Sequence, residues 1–392
     1  MRVLFIQPFG MMGGLGSSQI FRSLISDAPC TIGTLVYGVN PPPPWGGGRE
    51  IFIRERPHLG RIERSRLAGM AKFTRILTWQ SSRKNMHRAI TAWMPDHVHA
   101  HIHGTGFIHA VEWCQLHRVP FSACVHDDIR HLTLDDPWKK FIEEQAGGAW
   151  RAAANRFVIS PEIGAEYSQR YGNREWQQVT DGMERFPADA RPEVPGRWNL
   201  YFAGGMNVPY EPNFLAVQQA LKKLEQCGEG LRPRFILRGG RRLAGEDSTA
   251  PSLEPLPFGS REDVLGDLEN ADVLYLPLSI HPAFQNFAKF SLSTKMVGFL
   301  ASGLPIFYHG PAESAVYRLL SQYNACAACF TNDPEEILHA ILEAKKRRAE
   351  IVANAVLLGR ERFHLADIRK RFWSAIQQYH LESQPTMTYG KS

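Results

Sequence analysis

The apolar run VLFIQ stops at Pro8 and passes through a glycine-rich turn, Gly10 and Gly13–Gly16. It resumes as a periodic segment from Ser18 to Ile25. Strand, glycine turn and helix in that order open a doubly wound α/β unit, and little else fits. The rhythm continues. Thr31–Tyr37, His97–His103, Pro120–Val125 and Arg156–Ile159 read as strands, while Phe107–His117 and Pro161–Tyr171 read as helices, the latter with proline in the first turn. Strands this short, separated by helices, pair in parallel.

The 392 residues predict two domains. Between Phe186 and Arg197 the text FPADARPEVPGR has three prolines and no periodicity, and it reads as a linker. The rhythm then restarts with strands Trp198–Ala203, Arg234–Leu237, Ser252–Pro257, Asp272–Leu276, Pro305–Tyr308 and Cys326–Phe330. The expectation is two Rossmann-like doubly wound parallel-sheet domains facing a cleft. Residues 1–185 form the first and 198–365 the second, with 186–197 as linker. Residues 366–380 form a helix returning to the first domain, and 381–392 a tail.

Hydrophobic residues at 44% and charged residues at 21% exclude a disordered or collagen-like chain. The excess of 45 Lys and Arg over 39 Asp and Glu is too small and too dispersed to argue for nucleic acid. No apolar stretch is long enough to span a bilayer, and MRVLFIQPFG lacks the length and cleavage site of a signal peptide. Six scattered cysteines suit a reducing cytoplasm, so a cytoplasmic protein is expected.

The most specific text is ADVLYLPLSIHPAFQNFAKFSLSTKMVGFLASGLPIFYHGP, Ala271–Pro311. A buried strand ends at Pro277 and opens into an irregular loop, and Ser291, Ser293, Thr294 and Lys295 then start a helix. Hydroxyls, backbone N–H groups and a lysine at a helix N-terminus suit an anion, a diphosphate above all. Ser293 as an ordinary N-cap and Lys295 as a solvated lysine is the alternative.

The order "advlylP…sTK…flasGlPi" resembles the donor-binding domain of GT-B glycosyltransferases. YFAGGMNVPYEPNFLAVQQAL (Tyr201–Leu221), with Gly204, Gly205 and Asn213, is similar to the first strand and helix of that domain. LPFGSREDVLGDLENAD (Leu256–Asp272) and VTDGM (Val179–Met183) are similar to two further segments of the family. In the first half, FSACVHDDIRHL (Phe121–Leu132) resembles its "PhvhtvHD" strand and loop. The resemblance spans nearly the whole chain as pattern.

It implies transfer of a sugar from a nucleotide sugar to a hydroxyl of a glycan or lipid-linked acceptor. Lys295, Thr294, Ser293 and Arg238 would hold the diphosphate beside Gly204 and Gly205, with the base near Phe258. His126 would work on the acceptor side, oriented by Asp127 or Asp128, one of which is alternatively the base itself. Gly13, Gly14 and Gly16 would form a phosphate or acceptor loop, with His103 at a strand end nearby. The family needs no metal, and no cofactor beyond the donor is expected. Two family glutamates are replaced by Phe290 and Gly298, and Gly205 stands in the place of a diphosphate-gripping arginine. A non-catalytic nucleotide-sugar-binding partner protein and a nucleotide-sugar epimerase are the alternatives.

Three features carry less. Cys326 and Cys329 form a lone CxxC inside an apolar run and read as core. His97, His99, His101 and His103 alternate, which puts them on one side of a covered strand as structural histidines rather than metal ligands. In Arg49–Arg88 eleven cations oppose three acids, with apolar residues interleaved. Such a segment lies on anionic lipid at the inner face of a membrane or is a core-facing helix with a solvated basic face.

Overall fold

The computed structural model describes residues 1–13, 16–55, 66, 68–132, 138–206, 208–227, 231–251 and 253–382. The chain divides into two compact units, 1–181 with 366–392, and 182–365.

The sheet of the first unit consists of β1 (Arg2–Gln7), β2 (Thr31–Gly38), β3 (Arg49–Arg54), β4 (His97–His101), β5 (Phe121–Val125), β6 (Asn155–Val158) and β7 (Gln177–Gln178). The order is β3-β2-β1-β4-β5-β6-β7, with every pairing parallel. Central strands of such a sheet are covered on both faces, so VLFIQ is a continuous apolar run rather than an alternating one. The face carrying Phe5 is closed by Phe21 and by Phe372 of the helix Leu365–Glu382. Trp373 and Arg369 of that helix donate to the carbonyls of Leu24 and Ser23, at 2.9 Å and 2.7 Å.

The second unit repeats the plan. Its strands are β8 (Asn199–Ala203), β9 (Arg234–Arg238), β10 (Leu253–Leu256), β11 (Val273–Pro277), β12 (Ile306–His309) and β13 (Ala327–Cys329), in the order β10-β9-β8-β11-β12-β13. Phe202, Phe214, Phe235 and Tyr275 form its aromatic centre, with ring centroids 5.0 to 5.4 Å apart for three of the pairs. Each such side chain contributes about 1.5–3 kcal/mol by leaving water. The parallel-sheet α/β architecture expected from the rhythm is therefore present in both units.

Some local expectations change. The proline-rich stretch 186–197 lies against the second unit: Arg191 donates to the Ser302 carbonyl at 2.7 Å and receives a bond at its own carbonyl from Arg348 at 2.9 Å. The basic stretch Arg49–Arg88 is not one amphipathic segment. It begins as β3, paired with β2, and ends inside the helix Ala68–Trp93, where Arg83 is ion-paired with Glu112. Residues 56–65 and 67 of it lie outside the described residues. The loop after Pro277 is partly regular, with a helix over Gln285–Phe290.

Candidate functional site

In a doubly wound sheet, ligands sit beyond the carboxyl ends of the strands where the strand order reverses. In the second unit that point lies between β8 and β11. Here the chain leaves β8 at Gly204, whose φ of +127° suits glycine alone. A Cβ on Gly204 would come within 2.1 Å of Lys295 Cε and 3.1 Å of its Nζ. The glycine therefore makes room for the lysine. Lys295 crosses from the start of the helix Thr294–Leu300, and its ammonium rests 5.1 Å from the centre of the Phe202 ring.

Among the described residues no carboxylate offsets that charge: burial alone acts on the Lys295 ammonium and pushes its pKa down to about 8. A half-buried, unneutralised cation at a strand-order reversal attracts an anion. Ser293 precedes the same helix, but its side chain does not cap it, so the ordinary capping role is not its function here. Thr294 precedes the lysine in sequence and Gly205 follows Gly204, and each is partly exposed. Gly204 N–H is bound to the Arg238 carbonyl at 2.8 Å, which ties β8 to β9 at this edge. Asn213 donates to the Leu278 carbonyl at 2.9 Å and fixes the exit of β11.

Phe258 stands at the same edge, 71% exposed, with its ring against Gly239. A Cβ on Gly239, at φ +78°, would meet that ring at 2.7 Å. Arg238 is different. Its guanidinium grips Asp267 with bonds of 2.7 Å and 2.8 Å, and Tyr201 donates to the same carboxylate at 2.9 Å. The expected diphosphate cation is thus already neutralised, because a fork-shaped guanidinium is satisfied by a carboxylate. Of the four expected donor cations and hydroxyls, Ser293, Thr294 and Lys295 are consecutive at the start of one helix, while Arg238 is engaged by Asp267.

The corresponding point in the first unit lies between β1 and β4. The turn after β1 is tightly tied. Gly13 N–H bonds the Gly10 carbonyl at 3.1 Å, Met11 N–H bonds Glu50 at 3.0 Å, and Ser18 Oγ bonds the Gly10 carbonyl at 2.9 Å. Arg22 holds the carbonyls of Met11 and Gly13. The N–H groups of Met11 and Gly13 are therefore engaged and do not form a phosphate cradle. Gly16 opens the helix Gly16–Ile25, and Gly14 lies outside the described residues.

His126, just past β5, is 2% exposed. Its ring nitrogens lie 2.9 Å from Ser17 Oγ and 3.2 Å from Cys124 Sγ, and its ring is 4.5 Å from that of His101. Burial pushes its pKa down to about 3, helped by His103. The imidazole is thus neutral and enclosed, with Ser17 and Cys124 against its two nitrogens. Asp128 caps the short helix Ile129–Leu132 through Arg130 N–H at 3.1 Å, and its carboxylate is clamped by Arg130 and Arg170. Burial pushes that carboxyl up, but the two guanidinium groups outweigh it and hold its pKa below the usual carboxylate range. Asp127 acts on His103, whose pKa burial lowers and the aspartate partly restores.

Sequence reasoning missed the buried polar atoms at this edge. Gln7, at the end of β1, has its whole amide buried without a partner, as are both ring nitrogens of His101 and Nδ1 of His103. The glutamine that ends the apolar run was the available signal. No group of three His, Cys, Asp or Glu among the described residues is arranged to hold a metal ion. No described helix is long and apolar enough to cross a membrane.

No family model matches the chain, and no characterised protein matches it by sequence. Solved structures match along nearly its full length. Anabaena HepE, in complex with UDP and glucose, has a TM-score of 0.64 at 14% identity, covering 96% of this chain and 99% of that one. The α,α-trehalose 6-phosphate synthase of Burkholderia multivorans has a TM-score of 0.65 at 10% identity, covering 100% and 99%. A Listeria monocytogenes protein assigned as a UDP-N-acetylglucosamine 2-epimerase follows at 0.55 and 12%, covering 98% and 97%. At these identities the likeness is one of architecture, and the chain has the GT-B fold these proteins share.

Proposed function

We propose that this protein is a glycosyltransferase that takes a sugar from a nucleoside diphosphate sugar and passes it to a hydroxyl of a glycan or lipid-linked acceptor. The observation that carries the reading is the unneutralised Lys295 ammonium against Gly204 at the strand-order reversal of the second unit. In this reading the ammonium, with Ser293 and Thr294, binds the diphosphate and stabilises it as negative charge builds on the leaving group. Phe258 offers its exposed face to the nucleobase. The UDP bound to HepE supports a uridine donor. The positive charge of Arg49–Arg88 supports a lipid-linked acceptor at an anionic surface.

On the acceptor side His126 acts as a positioning residue in this proposal. It bonds Ser17, one residue into the helix that follows the glycine turn, and a buried neutral imidazole keeps that turn in place.

An epimerase is the second reading, favoured by the Listeria match. Thermal shift against a panel of nucleoside diphosphates and their sugars tests donor binding. A ligand at a hundredfold its Kd adds about 2.7 kcal/mol. Silence across the panel at millimolar ligand sinks both readings. Sugar epimerised without any acceptor sinks the transferase, and nucleotide released only when an acceptor is added sinks the epimerase.

A further inference from the structure

In the first unit β7 starts late relative to its neighbour. It pairs only Gln177 with Phe157 and Gln178 with Val158, so Asn155 and Arg156 at the start of β6 have no strand beside them on that edge. The residues just before β7 border the gap instead. A cavity of about 580 Å³ results, lined by residues 154–157 and 173–177. That volume is typical of small-molecule sites, ~300–1,000 Å³. It lies at the amino ends of the strands, so it is separate from the glycine turn and the histidines at the carboxyl edge of the same sheet.

Its lining has a definite chemistry. Asn155, Asn173 and Gln177 present planar amides, Arg174 and Glu175 present opposite charges, and Trp176 presents an indole. The Asn155 amide nitrogen is shielded from solvent and has no hydrogen-bond partner. The indole is held rigidly: it rests on Gly164 of the helix Pro161–Tyr171, where a Cβ would come within 2.6 Å of the ring.

Arg156 would favour an anion, but it is consumed. Its guanidinium donates to the carbonyls of Trp150, Arg151 and Ala153, at the end of the helix Lys139–Ala152. What remains with free bonding capacity is one cation and one anion, Arg174 and Glu175, among amide donors and acceptors, with the indole as an aromatic surface. Neighbouring hydroxyls of a sugar both donate and accept, as amides and carboxylates require, and an indole covers the apolar C–H face of a ring.

We propose that this cavity binds an uncharged carbohydrate chain. The inference rests on the reading that the protein works on glycans, and it adds a second place where the glycan is held.

The test is saturation-transfer NMR and calorimetry of the full chain with maltohexaose, cellohexaose, laminarihexaose and chitohexaose. At least one should bind. Trp176→Ala should weaken it about tenfold or more, which is the scale of losing an aromatic contact with its hydrogen bonds. Because Trp176 also packs on the helix, the exposed pair Arg174→Ala with Gln177→Ala is the second variant, and it should weaken binding too while leaving the melting temperature unchanged. Lys295→Ala should bind the oligosaccharide as the parent does. The proposal falls if no oligosaccharide binds, or if both cavity variants bind as the parent does. Glycan binding that persists in a protein that ignores every nucleotide would instead remove the donor reading and leave this site standing.

Discussion

The two sheets have the same strand-order reversal, and their carboxyl edges carry opposite chemistry. In the second unit the edge keeps a cation with no counter-charge among the described residues and an exposed phenyl ring. In the first unit Asp128 is held by two arginines and Glu50 by Met11 and Thr34, Asp127 acts on His103, and unpartnered imidazole and amide atoms lie beside them. One fold thus leaves an unneutralised cation at one edge and unpartnered imidazole and amide atoms at the other. The difference lies in which side chains are left unpaired, not in the backbone plan.

Breaking the first unit without touching the second should have the largest effect. Asp128 is 1% exposed and faces two guanidinium groups, of which Arg130 is partly solvated. Asp128→Ala leaves both with Glu166 as their remaining carboxylate and should cost up to roughly 3 kcal/mol, the lower end for a broken buried pair. Denaturant titration measures it. Nucleotide binding should be unchanged, and a loss of binding with full stability would overturn the structural role of Asp128.

Lys295→Met tests the second edge. It should abolish the nucleotide-induced stabilisation, about 2.7 kcal/mol at a hundredfold Kd. It should also raise the melting temperature of the free protein. The Lys295 pKa lies below its ordinary 10.5, so between about 8 and 10.5 the unfolded chain binds more protons, and stability rises with pH there. At neutral pH the buried ammonium is therefore a cost that methionine removes. A variant less stable than the parent would show that Lys295 is structural. Nucleotide affinity of the parent should decline above about pH 8, as the free lysine loses its proton.

Acid should separate the two units. Burial pushes His97 and His126 down to about 3, and His99 and His101 are also lowered by burial. From pH 6.5 downward the unfolded chain takes up protons that these folded imidazoles refuse. Each therefore removes up to ~1.4 kcal/mol per pH unit until its folded pKa is reached. In the second unit burial depresses His309 this way, to about 4. Hydrogen exchange followed by mass spectrometry at falling pH should find strands β1, β4 and β5 opening before β8 and β11. Simultaneous opening would contradict the difference in buried imidazoles.

The smallest effect is that of Phe258→Ala. The side chain is exposed, so stability should hardly change. Nucleotide affinity should drop by ~1 kcal/mol or more, the order of a base-stacking contact. Equal loss for a nucleotide and for inorganic diphosphate would show that Phe258 does not meet the base.

Much of this was legible before any coordinates. Short apolar runs with helical spacers dictate parallel strands, because a parallel crossover needs a helix and a strand covered on both faces must be apolar throughout. Gly204 and Lys295 were likewise readable, since a lysine beside hydroxyls at a helix start and a glycine after a strand are local patterns. Partner choice was not. Arg238 and Asp267 are far apart in sequence, as are Asp128 and Arg170, and only folding shows that each pair neutralises itself. His126 reads like a base in sequence, yet a ring at the end of a strand can face a ligand or the core, and the packing of Phe21, His101 and Ser17 decided for the core. The late start of β7 is also a tertiary outcome, because strand length at an edge depends on the neighbour it pairs with. Sequence determined the layers, the order of elements and the residue types available at each strand end. Tertiary structure decided which charges remained free, because a charge is spent or kept by whatever distant group the fold brings to within about 3 Å of it.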